Sequence, residues 1–363
     1  MRLLFLADRL SIRGGADLHL RQVIEWCVGM GWKVTVAVGR VDPGTMPPAG
    51  AELKRIRGLA ASKATAARLE RLGRLMEGAD VIHAQNVMNP EALRRMVGTG
   101  KAVITVQDHR IFCPGMGKTL PDGMRCRRPM GQVDCSVCLE DSSYREQMEE
   151  LTRERLEALR GASLVVLSRY MAEELEAVGA GGAVVIPPWI TQGPSKNTPG
   201  EVLVMAGRLV RHKGIGDGWR AWIEAGRPLP LHVMGEGPEV QELDGADHMG
   251  WVDHQRCLAG IGRARALIFP SWWQEPFGML GIEALAQGTP VIASVTGGMS
   301  DWADSGCIAV EPGDIRALRA GIERLAADPE AALVLGEAGR AMVAERFSRR
   351  VVAPRLRAVY ENR

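Results

Sequence analysis

Short apolar runs alternate with helix-length amphipathic stretches along most of the chain. Runs at 3–7, 33–38, 80–84, 102–106, 164–167 and 183–187 predict buried strands. Helix-length segments at 16–30, 62–76, 90–97 and 142–160 lie between them. Near-continuous apolar strands separated by helices predict a parallel sheet covered on both faces. The alternation breaks at Pro187-Pro188 and passes through TQGPSKNTPG at 191–200, which is turn chemistry and predicts a linker. A second series of strands follows at 202–206, 230–234, 246–250, 265–269, 290–294 and 307–310. The expected architecture is α/β: two tandem Rossmann-like doubly wound domains facing a cleft, with ligands at the carboxyl ends of the strands.

A length of 363 residues allows two to three domains at about 150 residues each. The first apolar run is closed by Asp8, too early for a signal-peptide core or a membrane span, which predicts a cytoplasmic protein. The net charge of +2 gives no argument for nucleic acid. It averages +4 over residues 1–190 and −2 over 191–363. Part of the excess is the group Lys54, Arg55, Arg57, Lys63, Arg68, Arg71 and Arg74, expected to be a solvated helix face. The other reading of that group is a weak peripheral contact of the N-terminal domain with the inner membrane surface.

Candidate chemistry collects where strands give way to helices. After the first strand, Arg13-Gly14-Gly15-Ala16 opens a helix, and two glycines let backbone amides approach an anion. A tight turn without a ligand explains that pair nearly as well. The second domain opens with Gly207-Arg208-Leu209 and Arg211-His212-Lys213-Gly214, whose Arg208 and Lys213 suit a diphosphate clamp. The segment 269–294 reads strand, loop, helix, turn, strand, with Glu275 before the helix and Glu283 eight residues on. Carboxylates there can hold sugar hydroxyls while the amides of residues 277–280 face a phosphate.

With these motifs the chain resembles the retaining family-4 glycosyltransferases of the GT-B fold (glycosyl transferases group 1). The resemblance rests on the E-x7-E pair Glu275/Glu283, the Gly14-Gly15 loop, the run from Gly207 to Gly214, and Gly235-Glu236-Gly237-Pro238, in family order over essentially the whole length. It implies transfer of a sugar from a nucleoside-diphosphate sugar to an acceptor hydroxyl, with retention and without a catalytic metal. By this resemblance Arg208 and Lys213 bind the diphosphate, and Glu283 holds the ribose. Glu275, with the amides of Phe277, Gly278 and Met279 beside Leu280, holds the donor sugar. Gly15 meets the phosphate from the opposite domain, Gly235 belongs to the glycine motif, and the strand end through Val252 contacts the base. It further implies an acceptor domain at 1–186 with an insertion at about 110–140, a linker at 187–200, and a donor domain at 201–347. Residues 348–363 are then a helix crossing back to the first domain. A nucleotide-sugar epimerase on the same fold and a non-catalytic metal- or redox-responsive binding protein are the alternatives.

One departure from the family pattern is Gln107, which stands where relatives carry a histidine, in Gln107-Asp108-His109. Residues two apart on an extended segment share a face. Either His109 takes over or Gln107 keeps only the hydrogen bond, a purely structural histidine being an equal reading of His109, and His83 and Gln85 are expected near the same site. Finally, Cys113, Cys126, Cys135 and Cys138 fall within 26 residues with C-x12-C-x8-C-x2-C spacing. That pattern suits a structural zinc with four thiolates; an iron–sulfur cluster, disulfides or unligated thiols stay open. Cys27, Cys257 and Cys307 read as packing residues.

Overall fold

A computed structural model describes residues 1–62 and 69–363. The chain divides into two compact units, Met1–Pro121 with Cys126–Pro187 and Pro354–Arg363, and Asp122–Arg125 with Pro188–Ala353.

The first unit runs β1 (Arg2–Leu10), α1 (Gly15–Gly29), β2 (Lys33–Val41), β3 (Ala51–Arg55), α2 (Glu70–Glu77), β4 (Val81–Gln85) and α3 (Pro90–Val97). It continues through β5 (Ala102–Val106), α4 (Ser142–Ala158), β6 (Ser163–Val166), α5 (Arg169–Ala177) and β7 (Val184–Val185). The seven strands are ordered β3-β2-β1-β4-β5-β6-β7 and pair in parallel. Every residue of β4 and β5 is buried, as expected for central parallel strands between helical layers. Two elements escaped the hydrophobic pattern. The short α5 is held by its Ser168 cap, whose Oγ accepts from the Met171 amide at 3.3 Å. β3 lies at the sheet edge, where Lys54 pairs with Glu52. Lys54 and Arg55 therefore sit on an edge strand, not on a helix face, and charge there discourages further strand pairing. Arg71 and Arg74 are on α2, while Lys63 and Arg68 lie outside the described residues.

The second unit runs β8 (Leu203–Ala206), α6 (Ile215–Glu224), β9 (Leu231–Met234), β10 (Asp247–His248), α7 (His254–Arg263), β11 (Ala266–Phe269) and α8 (Met279–Ala286). Then come β12 (Val291–Ser294), β13 (Cys307–Val310), α9 (Ile315–Ala327), α10 (Pro329–Arg346) and α11 (Arg349–Glu361). Its six strands are ordered β10-β9-β8-β11-β12-β13, again parallel. Only two residues of the run 246–250, Asp247 and His248, form a strand. Residues 186–200 contain no helix or strand. No helix among the described residues is long and apolar enough to cross a membrane.

The last ten residues count with the first unit, and Tyr360 shows what ties them there. Its side chain is 1% exposed, and its hydroxyl lies 2.6 Å from His83 Nδ1. The other ring nitrogen, Nε2, lies 2.7 Å from Thr105 Oγ1. His83 thus occupies the interior against Phe5 and Tyr360, contrary to its expected place beside a ligand site. Both ring nitrogens are satisfied while the imidazole is neutral, and burial pushes its pKa down to about 3.

A histidine whose folded pKa lies below its unfolded value of about 6.5 adds stability at neutral pH that is lost as pH falls below 6.5. Between pH 7 and pH 5, His83 should therefore cost the fold about 2 kcal/mol. Asp8, pushed up to about 6 mainly by burial, acts in the opposite sense over part of that range. The comparison that isolates His83 is wild type against His83→Gln, which keeps hydrogen bonding without titrating. Thermal unfolding should show a shallower acid decline for the variant, and parallel profiles would refute the assignment.

Candidate functional site

Strand order reverses between β1 and β4 in the first unit and between β8 and β11 in the second. Ligands of such sheets bind beyond the carboxyl ends of strands at the reversal. Of the four helices that follow these strands, α1, α6 and α8 begin without a side-chain cap, and α3, after β4, has one. Helices α3, α4, α5, α7, α9 and α10 are capped by side chains of Asn89, Asp141, Ser168, Asp253, Asp314 and Asp328. Helices α1, α6 and α8 have Gly14, Gly214 and Gly278 at that position, without a side-chain cap. Their first amides are therefore not taken up by a capping side chain, the arrangement that suits an anion.

In the second unit, two loops cross at the reversal. Gly214 has a φ of +64°, and a Cβ there would lie 1.8 Å from the Pro270 carbonyl oxygen. The amides of Trp272 and Trp273 both donate to the His212 carbonyl at 3.0 Å. This backbone contact brings Lys213, beyond β8, to Glu275, beyond β11. Lys213 Nζ donates to Glu275 Oε1 at 2.6 Å, and Ser271 Oγ donates to the same oxygen at 2.9 Å. The ammonium also lies 4.5 Å from the centre of the Trp273 ring. Glu275 is only 6% exposed, so its carboxylate is held in place. Behind it, the Gly298 amide donates to the Glu275 carbonyl at 2.7 Å, and Trp302 Nε1 donates to the Phe277 carbonyl at 2.7 Å.

Arg208 is exposed on the neighbouring turn, with Nη2 3.5 Å from His212 Nε2. Burial, Lys213 and Arg208 together lower the His212 pKa, which favours the neutral imidazole. Gly235 follows β9, and a Cβ there would lie 1.8 Å from the Gly207 carbonyl oxygen. The Gly207 amide donates to Met234 and the Gly235 amide to the Gly250 carbonyl, so the turns after β8 and β9 are joined through backbone. Val252 is half-buried just before α7. Glu283, on the second turn of α8, meets His254 at the start of α7: His254 Nε2 lies 2.9 Å from Glu283 Oε1. That hydrogen bond raises the His254 pKa against the opposing effect of burial. Met279 and Leu280 open α8 beneath Gly278, and the Phe277 side chain turns inward, 1% exposed.

The first unit places Gly15 at the head of α1, with Gln107 nearby: Gln107 Nε2 points at the Ala16 carbonyl, 3.4 Å away. Gln107 Oε1 lies 3.2 Å from His19 Nδ1, and Gln85 Nε2 lies 3.1 Å from the same nitrogen. His19 was not singled out from sequence. The available signal was a histidine one helical turn beyond Gly15, on the face directed at the strand ends. Burial lowers its pKa to about 4, partly offset by Gln107, so the ring is neutral at pH 7. His109 does not join this group. The strand ends at Val106, a tight helical turn starts at His109, and the two-residue periodicity no longer applies. His109 is 1% exposed, with Nε2 3.0 Å from the Tyr170 hydroxyl and its ring edge against Phe112.

Cys113, Cys126, Cys135 and Cys138 line one small cavity, all as free thiols. The closed tetrahedral site expected from their spacing is not preformed: among the described residues no group of three or more His, Cys, Asp or Glu side chains is arranged to hold a metal ion. Cys27 is buried, while Cys257 and Cys307 are half-buried in α7 and β13.

Fold and site together define a two-domain α/β protein with paired parallel sheets and glycine-opened helices at the strand reversals. Residues 190–342 match the family described as glycosyl transferases group 1, and the chain carries that domain. By sequence it is 30% identical over 224 residues to a glycogen synthase of Mycobacterium tuberculosis, covering 54% of this chain and 53% of that protein. The chain thus spans about half the length of the curated relatives it matches first. Among solved structures, the sucrose-phosphate synthase of Thermosynechococcus elongatus superposes with a TM-score of 0.73 at 22% identity, covering 100% of this chain and 98% of that one. Anabaena HepE in complex with UDP gives 0.72 at 17% identity, with both chains covered fully. The fold is the GT-B type.

The crossing of the two loops generates a prediction. Gly214→Ala places a methyl group against the Pro270 carbonyl and forces an L-residue into the left-handed region, which alone costs about 1–2 kcal/mol. Its melting temperature should fall by several degrees. Gly216→Ala, where a Cβ meets nothing within 4 Å, should leave it unchanged or slightly raised. Equal melting temperatures for the two variants would show that the crossing does not constrain the loop.

Proposed function

We propose that the protein transfers a glycosyl group from a nucleoside-diphosphate sugar to an acceptor hydroxyl, with retention of anomeric configuration and without a catalytic metal. The observation that carries this reading is the Lys213–Glu275 contact at 2.6 Å. The bond broken in such a reaction joins the anomeric carbon to the diphosphate. A cation for the phosphate and a carboxylate for the sugar must therefore stand side by side, and here they do.

In this reading Lys213 and the more exposed Arg208 stabilise the charge that develops on the departing diphosphate. Fixed cations in a partly desolvated site do this without reorganising. Glu275, immobilised by Ser271 and Lys213, accepts hydrogen bonds from sugar hydroxyls. The uncapped amides at Phe277, Gly278 and Met279 complete the pocket. Glu283 holds the ribose, and Val252 with the turn through Gly235 borders the base. Within the first unit, the head of α1 at Gly15 suits a phosphate, and Gln107 keeps the hydrogen-bonding role of the histidine it replaces. The acceptor oxygen attacks on the face that the diphosphate leaves, and its proton passes to the departing phosphate oxygen. No side chain is then required as a nucleophile, consistent with retention inside an ion pair.

Losing one oriented group of this kind costs about 2.7–4 kcal/mol, a factor of roughly 10²–10³ in turnover. Lys213→Ala and Glu275→Gln should each lower transfer by that order while melting within a few degrees of wild type. Near-normal rates in both variants would overturn the assignment. Donor choice is read by thermal shift with UDP-, GDP- and ADP-sugars, because a bound donor stabilises the fold by mass action. At least one should raise the melting temperature of wild type, and Glu283→Ala should reduce that shift; no shift with any donor would contradict the proposal.

A further inference from the structure

The segment from Cys113 to Cys138 supplies no residue to the transfer chemistry proposed above, yet it is built around its cysteines. Over these 26 residues the only regular element is one turn of helix at Cys135–Val137. A loop this long without its own secondary structure is unusual in a compact domain unless something else orders it. Here the Cys126 amide donates to the Lys118 carbonyl at 2.8 Å. The amides of Cys138 and Leu139 both donate to the Cys135 carbonyl, at 3.0 and 2.9 Å. These bonds fold the C-x2-C pair into a tight turn and bring Cys126 back over Lys118. All four cysteines then line a single cavity of about 30 Å³, with Phe112 and Met130 among its apolar walls. At Gly115 the wall is so close that a Cβ would lie 2.9 Å from Cys138 Cβ.

We propose that this cavity is a structural zinc site with Cys113, Cys126, Cys135 and Cys138 as its four ligands. Three observations favour it over the other occupants. The cavity accommodates one ion, not a cluster of several iron and sulfur atoms. The cysteines are unlinked, so disulfides do not order the loop. Four thiolates on a dication leave a net charge of −2, and Arg125, Arg127 and Arg128 bracket Cys126 in the sequence. Arg128 and Lys118 are themselves cavity-lining residues. Lys118 is fastened to the domain by a buried ion pair with Glu174 at 3.0 Å and by donation to the Arg128 carbonyl at 2.7 Å.

Binding draws the four sulfurs inward by side-chain rotation, forms four Zn–S bonds and releases four thiol protons to solvent. Metal affinity and loop order are then one equilibrium. The site concerns loop order alone and stands or falls independently of the transfer reaction.

The test is metal analysis of the full chain purified under reducing conditions without a metal-affinity tag. One zinc per chain is expected, and the Cys135→Ser/Cys138→Ser double variant should retain less than a tenth of it. Zinc-loaded wild type should protect these four cysteines from alkylation, and chelation should expose them together, while the reactivities of Cys27, Cys257 and Cys307 stay unchanged. Mapping the alkylated peptides needs no variant, so it decides the matter if the double variant fails to fold. Cobalt replacement should give the intense visible bands of tetrahedral thiolate coordination. Absence of metal, iron with inorganic sulfide, or full zinc retention in the double variant would each overturn the proposal.

Discussion

The second unit of this protein depends on one close approach of backbone to backbone. At the strand reversal, the turn after β8 passes under the loop after β11, and Gly214 leaves no room for a side chain between them. Two amides closing on the His212 carbonyl lock the crossing. Because the loops are joined this way, a lysine and a glutamate 62 positions apart meet at hydrogen-bond distance. The same solution recurs between the turns after β8 and β9, where Gly235 faces Gly207. Glycine also sits at the head of α6 and α8, so the contact that builds the site leaves helix amides without side-chain caps.

The first unit solves a different problem, that of polar groups inside a parallel sheet. His83 is satisfied on both nitrogens by hydroxyls from β5 and from the chain's last helix. His19 is flanked by two glutamine side chains at the ends of β4 and β5. In each case burial holds the ring neutral, so its hydrogen bonds are those of an imidazole and not of an imidazolium. Arg155 shows the charged counterpart: it is 2% exposed and donates to the carbonyls of Met88 and Arg110, which fastens α4 to two loops.

Much of this was legible from the chain because apolar runs in a parallel sheet are nearly continuous and stand out against helices. The strands at 102–106 and 307–310 coincide with β5 and β13, and the helix at 90–97 with α3. β3 was missed because an edge strand needs only one covered face, and its Ala-Glu-Leu-Lys-Arg sequence carries more charge than apolar surface. Arg208, Lys213, Glu275 and Glu283 were picked out by local spacing, since each lies next to a strand end or a helix start. His254 and His19 were missed because their partners, Glu283 and Gln107, are distant in sequence. Of the two readings of His109, the structural one fits, because the chain turns soon after β5 and alternation holds only while a strand lasts.

By itself, then, the sequence determined the two α/β halves and the glycine, cation and carboxylate types at the strand ends. Those properties follow from local chemistry: periodicity, turn residues and helix starts are set by neighbours a few positions away. Tertiary structure decided which of these groups touch. It paired Lys213 with Glu275 and His254 with Glu283, turned His83 and His109 into the interior, and gathered four cysteines around one cavity. Such pairings depend on strand order, and strand order is settled by how the whole sheet buries its two faces.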